Sequence, residues 1–482
     1  MSGITPSMVS MLIPEIGLTL LALVLLVFSL FKSEKLNRSL GWVTAGGAGI
    51  IALLTYLLAN PGDSPSLAWG EMLRFDQPGF FFALLFLAGA GLTALFASSD
   101  AAISPKPEFY ILLVISTIGF CLMAAAANLI LLYLAVETAS IPLYVLAGLK
   151  FRDKKSVESG IKYFLFGALS SALMLYGFSL LYGFSGTTRI YSIADGIAAQ
   201  AVPLAAVILA VILVFAGFAF KISAVPFHFW APDVYEGAPT PVAGFLSTVS
   251  KAAGFAAFIR ILLVVFGAQT NAIWMILVAV MSAASMLVGN LVAIPQTNLK
   301  RLIAYSSIAQ AGYVLIGVAA GSSLGITGTA YYLLSYLVTN LAVFGIISRV
   351  EKETGSSEIS AFKGLNRRAP SLALLLMIAL LSLGGIPPFA GFFAKVLVLG
   401  SAVESNLLWL AILGIINSVV GLYYYLRVMK VMYMEAPDSQ ASFAKPPVLW
   451  LIALVVCLAG IILLGVVFTP WFSAAMQVAT GF

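Results

Sequence analysis

Fourteen apolar runs of about 20 residues follow one another along this 482-residue chain. A helix needs a run of that length to cross the hydrocarbon core of a bilayer. The runs lie near 11–31, 40–59, 78–98, 108–127, 129–149, 160–184, 203–222, 239–266, 272–291, 301–320, 325–349, 371–399, 406–428 and 448–470, and are numbered here as spans 1 to 14. In lipid an open-ended segment must satisfy its backbone internally, which a helix does and an isolated strand does not. The expected fold is therefore all-α and polytopic. Only 9% of the residues are charged, against about 25% in a soluble domain, so most of the surface faces lipid. The first run spans a membrane and has no basic segment before it, so it reads as a span rather than a removable signal peptide.

The lysines and arginines test this count. With the amino terminus outside, loops after odd-numbered spans are cytoplasmic and hold 18 of the 25 basic residues. The opposite loops hold Arg74, Arg189 and, at a span end, Arg260. Such a bias sets orientation, with both termini outward. The net charge of +6 therefore reflects topology and does not point to nucleic acid. The longest loops, near 60–77, 185–202 and 350–370, have room for short interfacial helices but not for a catalytic domain. Cys121 and Cys457 lie in apolar runs and read as small buried hydrophobes; with one histidine, His228, no haem or metal ligand set is in view.

Glu137, Lys221, Lys251 and Lys395 lie inside the apolar runs. A charge at the centre of a membrane helix costs about 2.5–3.5 kcal/mol on insertion scales. Four uncompensated charges would cost roughly 10–14 kcal/mol, comparable to a domain's whole stability of about 5–15 kcal/mol. Such residues need partners or water, and they mark ion pathways. A poorly hydrated lysine gives up its proton more readily than a solvated one, and a nearby carboxylate restores the charged form. A Glu–Lys pair is then a proton switch. Glu137 in span 5 and Lys221 in span 7 are candidates for it, with Lys251 in span 8 and Lys395 in span 12 continuing the route. His228 follows Lys221 by seven residues, and either shuttles protons or hydrogen-bonds a carbonyl. Lys162, near the start of span 6, either joins the route or snorkels to the interface. Ser306, Ser307 and Gln310 in span 10 either bind water in the route or join helices together.

Two spans carry similar interruptions. Span 7 ends in FKISAVPFHFW, with Pro226 five residues after Lys221; span 12 contains SLGGIPPFAGFFAK, with Gly384, Gly385, Pro387 and Pro388 before Lys395. Proline removes a backbone donor and clashes with the preceding turn, so each site should break its helix. Matched breaks in two halves point to a transport site. Spans 4–8 and 9–13 would be two five-helix units, each with its break in the fourth helix. Five is odd, so the second unit enters from the opposite side as an inverted repeat. The expected divisions are 1–107, 108–266, 267–430 and 431–482.

The segment FKISAVPFHFWAPDVYEGAPTPVAGFLSTVSK, from Phe220 to Lys251, resembles the antiporter-like N subunit of respiratory complex I and its photosynthetic relatives. LYLAVETASIPLYVLAGL around Glu137, NLKRLIAYSSIAQAGY from Asn298 and GGIPPFAGFFAK ending at Lys395 extend the resemblance from about span 4 to span 13. Asp233 to Gly237 favours the N subunit over its sister subunits. The resemblance implies 14 helices with an inverted repeat. It implies proton-transfer roles for Glu137, Lys162, Lys221, His228, Lys251 and Lys395. It implies no cofactor in this chain, with NAD, FMN, iron–sulfur clusters and quinone elsewhere in the complex. It also implies other membrane subunits as partners, including sister antiporter-like subunits, in a bacterial cytoplasmic or a thylakoid membrane. The expected function is proton translocation in an NADH- or ferredoxin-type quinone oxidoreductase. The alternative is a subunit of a sodium/proton antiporter or membrane-bound hydrogenase.

Overall fold

Thirteen helices are long and apolar enough to cross a membrane, in a computed structural model that describes residues 6–31, 34–62, 65–100, 102–437 and 443–482. Spans 1 to 6 are Ile13–Leu30, Glu34–Leu58, Gln77–Ala97, Pro107–Ala125, Leu129–Ala147 and Lys154–Ser185. Span 7 is Leu204–Ile222, followed across a break by the short helix Trp230–Gly237. Span 8 runs Thr240–Val264, and spans 9 to 11 are Gly267–Ala293, Leu299–Ala320 and Ser323–Thr354. Span 12 consists of two halves, Pro370–Gly384 and Ala390–Glu404; spans 13 and 14 are Leu408–Met434 and Val448–Val466. The 13 uninterrupted spans and the divided twelfth make the expected 14. Lys32, one of the basic residues used for orientation, lies outside the described residues.

Polar residues punctuate the apolar runs. Asp76, Asn128, Asp153, Asn298 and Ser322 cap spans 3, 5, 6, 10 and 11 by accepting from backbone N–H groups of the first turn, groups that a helix leaves without internal partners. Asn128 thus marks the division between spans 4 and 5, where the sequence has almost no polar signal. Spans 8, 10 and 11 are nearly all buried, whereas less than two-fifths of spans 1, 6, 9 and 13 is buried. The core therefore runs through spans 8, 10 and 11. Span 8 carries a π-helical turn, Leu246–Ser250, immediately before Lys251.

The two expected units share detailed geometry. In the first, Leu129 N donates to Thr188 O and Ile190 N to Ala127 O, each at 2.9 Å. In the second, Leu299 N donates to Ser357 O and Ile359 N to Thr297 O, each at 2.8 Å. Asn128 Nδ2 reaches Thr188 Oγ1 and Asn298 Nδ2 reaches Ser357 Oγ, both at 2.9 Å. Five spans separate the two clasps, so an alternating topology puts them on opposite faces. The breaks match too. Ser223 and Gly385 end their helices in the left-handed region, at φ of 56° and 82°. The next N–H in each case returns to a carbonyl five residues back, Ala224 to Ala219 and Ile386 to Leu381, the geometry of a Schellman stop. The peptide bonds Val225–Pro226 and Pro387–Pro388 are both cis.

Two local features differ from expectation, the 60–77 loop and the end of span 14. The 60–77 loop holds a β-hairpin rather than an interfacial helix, with Ser66–Ala68 paired antiparallel to Leu73–Phe75. Its turn places Trp69, Gly70 and Glu71 at positive φ, and Ala127 N closes onto Met72 O at 2.9 Å, which anchors the hairpin to the span 4–5 junction. The 185–202 loop does contain a short helix, Ile190–Ala199. Span 14 stops at Val466 instead of continuing to 470, and Phe468–Gly481 forms a further helix against spans 3 and 11. Pro470 fits the first turn of that helix, where its missing N–H costs nothing.

Candidate functional site

The breaks in spans 7 and 12 free carbonyls in the interior, and the buried lysines sit beside them. Lys221, at the end of the first half of span 7, is 4% exposed. Its Nζ donates to Ser140 Oγ of span 5 at 2.8 Å and lies 5.6 Å from the Phe120 ring of span 4. The expected contact with Glu137 is not made: Glu137 Oε1 is buried without a hydrogen-bond partner. Ser140 occupies the next turn of the same helix and intercepts the ammonium.

Lys251 is 1% exposed, and its Nζ donates to Ser307 Oγ at 2.6 Å and Ser307 O at 2.9 Å. Ser306 Oγ meets Tyr425 OH at 2.5 Å. Gln310 Nε2 donates to the same hydroxyl at 3.2 Å and to Leu383 O at 3.1 Å, while Tyr332 OH donates to Gln310 Oε1. Leu383 adjoins Gly384, whose carbonyl accepts from Lys395 Nζ at 3.0 Å. Lys395 also donates to Ser418 Oγ at 2.8 Å and stands 4.7 Å from the Tyr313 ring centroid. The structure thus brings Ser306, Ser307 and Gln310 between Lys251 and Lys395 in one polar belt. It aligns Lys221, Lys251 and Lys395 with hydroxyls and carbonyls; among the described residues none of the three pairs with a carboxylate.

A different charge pair shows how this fold treats a structural ion. Arg260, 2% exposed, meets Asp76 through two contacts, at 2.6 and 3.1 Å. It also donates to Tyr191 OH at 2.5 Å and Ala124 O at 2.7 Å. That bidentate pairing with a carboxylate is what a static buried charge requires. The three lysines lack it.

Lys162 and His228 stand apart from the belt. Lys162 is about one-third exposed and pairs with Glu158 at 2.7 Å and Asp233 at 2.5 Å. Arg301 completes the cluster, reaching Asp233 at 2.6 Å and Glu236 at 3.1 Å, and Lys155 meets Glu236 at 2.8 Å. Half-burial pushes the Asp233 carboxyl up, but the hydrogen bonds from Lys162 and Arg301 prevail and hold it below the usual carboxylate range. The Asp233–Gly237 segment therefore serves as the acidic centre of a basic-face cluster. His228 is buried in the span 7 break, with Nδ1 free of hydrogen bonds and its ring 4.3 Å from Phe229. Pro226 in the same break is exposed, and Val225 N is held by Ser285 Oγ of span 9 at 3.0 Å.

Lys300 is a further buried lysine, one that its position at a span end does not single out in the sequence. It sits in the first turn of span 10, 3% exposed at the side chain and 3.9 Å from Glu351, with Nζ donating to Ala238 O at 2.9 Å. Glu351 accepts from Thr240 at the head of span 8. A cavity of about 230 Å³ lined by Lys150, Asp153, Lys155, Glu236, Lys300 and Glu351 opens above them. Lys300 and Ser307 are seven residues apart, so they share a face of span 10, about 10.5 Å apart along its axis. The i, i+7 spacing was the available signal; the burial of Lys300 was not readable beside Arg301. Ser140, Ser418 and Tyr425 were also missed, because each meets its partner across a long stretch of chain. Among the described residues no group of three or more His, Cys, Asp or Glu side chains could hold a metal ion.

These features define a class: a polytopic membrane protein with matched broken helices and a line of buried, uncompensated lysines between them. The family profile described as NADH:quinone oxidoreductase/Mrp antiporter, TM, matches residues 126–421, and the chain belongs to that family. It is 44% identical over 481 residues to NADH-quinone oxidoreductase subunit N of Moorella thermoacetica, covering 98% of each chain. Its fold resembles a chain of respiratory complex I from Thermus thermophilus, with a TM-score of 0.81 and 31% identity over 97% of this chain and 100% of that one. A chain of the Mrp complex from Dietzia sp. DQ12-45-1b shares the fold at a TM-score of 0.86 and 20% identity, covering 98% of this chain and 97% of that one.

Proposed function

We propose that this chain is the proton-translocating membrane subunit of an NADH- or ferredoxin-driven quinone oxidoreductase, with redox chemistry carried by other subunits. The observation that supports this most is the set of partners of Lys221, Lys251 and Lys395. Each ammonium is buried and bonded to neutral hydroxyl or carbonyl oxygens. A neutral lysine can keep such hydroxyl partners, because Ser140, Ser307 and Ser418 can each turn to donate instead of accept. Both protonation states are therefore accommodated, as proton transfer demands.

In this reading the basic face is cytoplasmic. Protons are taken up through the cavity above Lys300 and Glu351 and through the span 7 break at His228. They pass laterally along Glu137, Lys221, Lys251 and the Ser306–Tyr425–Gln310 group to Lys395. Lys162 belongs to the uptake side, held by Asp233 and Glu158. The matched clasps and breaks support dividing the chain at 108–266 and 267–430 into two inverted units. Membrane partners, including sister antiporter-like subunits, cover part of the lipid-facing surface; both termini face outward across a bacterial cytoplasmic or thylakoid membrane. NAD, FMN, iron–sulfur clusters and quinone are held elsewhere in the complex.

Proton output per electron, measured on the purified complex in vesicles, tests the reading through alanine variants of Lys221, Lys251 and Lys395. A sodium/proton antiporter shares the fold, and it is distinguished by sodium-dependent transport without quinone reduction.

A further inference from the structure

A second uncommitted carboxylate lies outside the belt and outside the 126–421 segment that defines the family. Glu15, in the first turn of span 1, buries Oε2 without a hydrogen-bond partner. It lines a cavity of about 30 Å³ with Thr55 of span 2, Arg74 and Asp76 of the hairpin and span 3 cap, Gly79, and Cys121 of span 4. That volume exceeds the ~10–15 Å³ that a water molecule needs. Thr55 donates to Ile51 O and so keeps its hydroxyl lone pairs for a water.

The charges around the cavity leave room for one more acid. Arg74 meets Asp76 at 3.1 Å, and Arg260 meets it from behind at 2.6 Å, with Tyr191 bonded to Arg260. Asp76 also accepts from Gly79 N at 2.9 Å. Two guanidiniums thus meet the one Asp76 carboxylate, and Glu15 is a second acid lining the same cavity as Arg74 and Asp76. The Arg74 side chain is 15% exposed, which gives the cavity a route to the surface on the face opposite the basic loops. Inward lies span 4, whose Cys121 lines the cavity and whose Phe120 ring stands 5.6 Å from the Lys221 ammonium.

We propose that Glu15 is a proton-exchange station on the outward face, the ligand being a proton carried through cavity water. The inference rests on the reading of this chain as a proton-translocating subunit. Glu15 accepts one proton from the interior side and releases it as hydronium through cavity water beside Arg74, returning to the carboxylate.

The test uses the assembled complex in vesicles, with protons per electron measured as a function of pH on the outward side. E15Q keeps the shape and removes the exchangeable proton; it should lower the ratio and flatten its dependence on outward pH. E15D retains an acid and should restore the ratio with a displaced pH profile. A wild-type ratio and profile in E15Q, alongside a lowered ratio in K221A, overturns the assignment of Glu15 and leaves the translocation reading standing. A wild-type ratio in K221A removes that reading and this inference with it. Should E15Q not assemble, the E15D profile decides: a displaced profile supports the station, an unchanged one overturns it.

Discussion

The ammonium of Lys395 donates to the carbonyl of Gly384 at 3.0 Å, the residue just before the point where span 12 stops. The helix break and the buried charge are thus one device. The break exposes a carbonyl that a continuous helix would have used internally, and the lysine binds it without a counter-ion.

Gly385 permits that geometry. It sits at φ 82°, and a Cβ there would meet Lys395 Cδ at 2.8 Å. Gly385→Ala should cost about 1–2 kcal/mol for the left-handed conformation and also displace the lysine. The expected outcome is a lower thermal midpoint of the complex together with reduced protons per electron. Gly183, with open space around its Cβ position, provides a control substitution that should move neither.

Ser307 offers Lys251 two oxygens, one from its side chain and one from its backbone. Ser307→Ala removes one and keeps the other, so proton output should fall less than in Lys251→Ala. A hydrogen bond to a charged group contributes about 1.5–3 kcal/mol, which corresponds to roughly one to two decades in a proton-transfer equilibrium. Transport rates of the two variants, compared in the same vesicles, check the order.

Asp76 and Arg260 tie span 3 to span 8. Asp76→Ala would strand a guanidinium that is 2% exposed, and breaking such a pair costs about 3–5 kcal/mol. The variant should fail to assemble or should melt far earlier than the native complex. Asp76→Ala with Arg260→Leu should recover part of the loss, since the more deeply buried of the two guanidiniums that Asp76 meets is then gone.

Asp233 supplies a pH dependence on the basic face. Its carboxyl is held below the ordinary range by Lys162 and Arg301, against the opposing effect of half-burial. A depressed folded-state value stabilises the fold above the unfolded value, near pH 4, and that contribution is lost as pH falls through the folded one. Thermal stability should therefore decline below about pH 4, and Asp233→Asn should weaken that acid-side decline. The pairs are partly exposed, so the variant should lose only about 1 kcal/mol or less at neutral pH.

Much of the architecture was legible because lipid imposes a strict length on each apolar run and because proline and glycine mark the breaks in spans 7 and 12. The buried lysines were legible for the same reason: charge is rare in such runs. Their partners were not. Lys221 meets Ser140 across 81 residues and Lys395 meets Ser418 from a different helix, and a lone serine in an apolar run looks the same whether or not it faces a lysine. Lys300 was hidden by position, since a basic residue at a span end reads as a loop charge until the neighbouring Glu351 and Thr240 are seen to enclose it. The hairpin at 66–75 was obscured by its short strands, three residues each.

The most direct measurement is proton output per electron in vesicles containing the complex with Lys221→Ala. Lys221 joins the span 7 break to Ser140 of span 5, so its loss should interrupt the lateral route at its start. The account predicts a lowered ratio with the complex still assembled. An assembled Lys221→Ala complex that pumps with the full native ratio would contradict it.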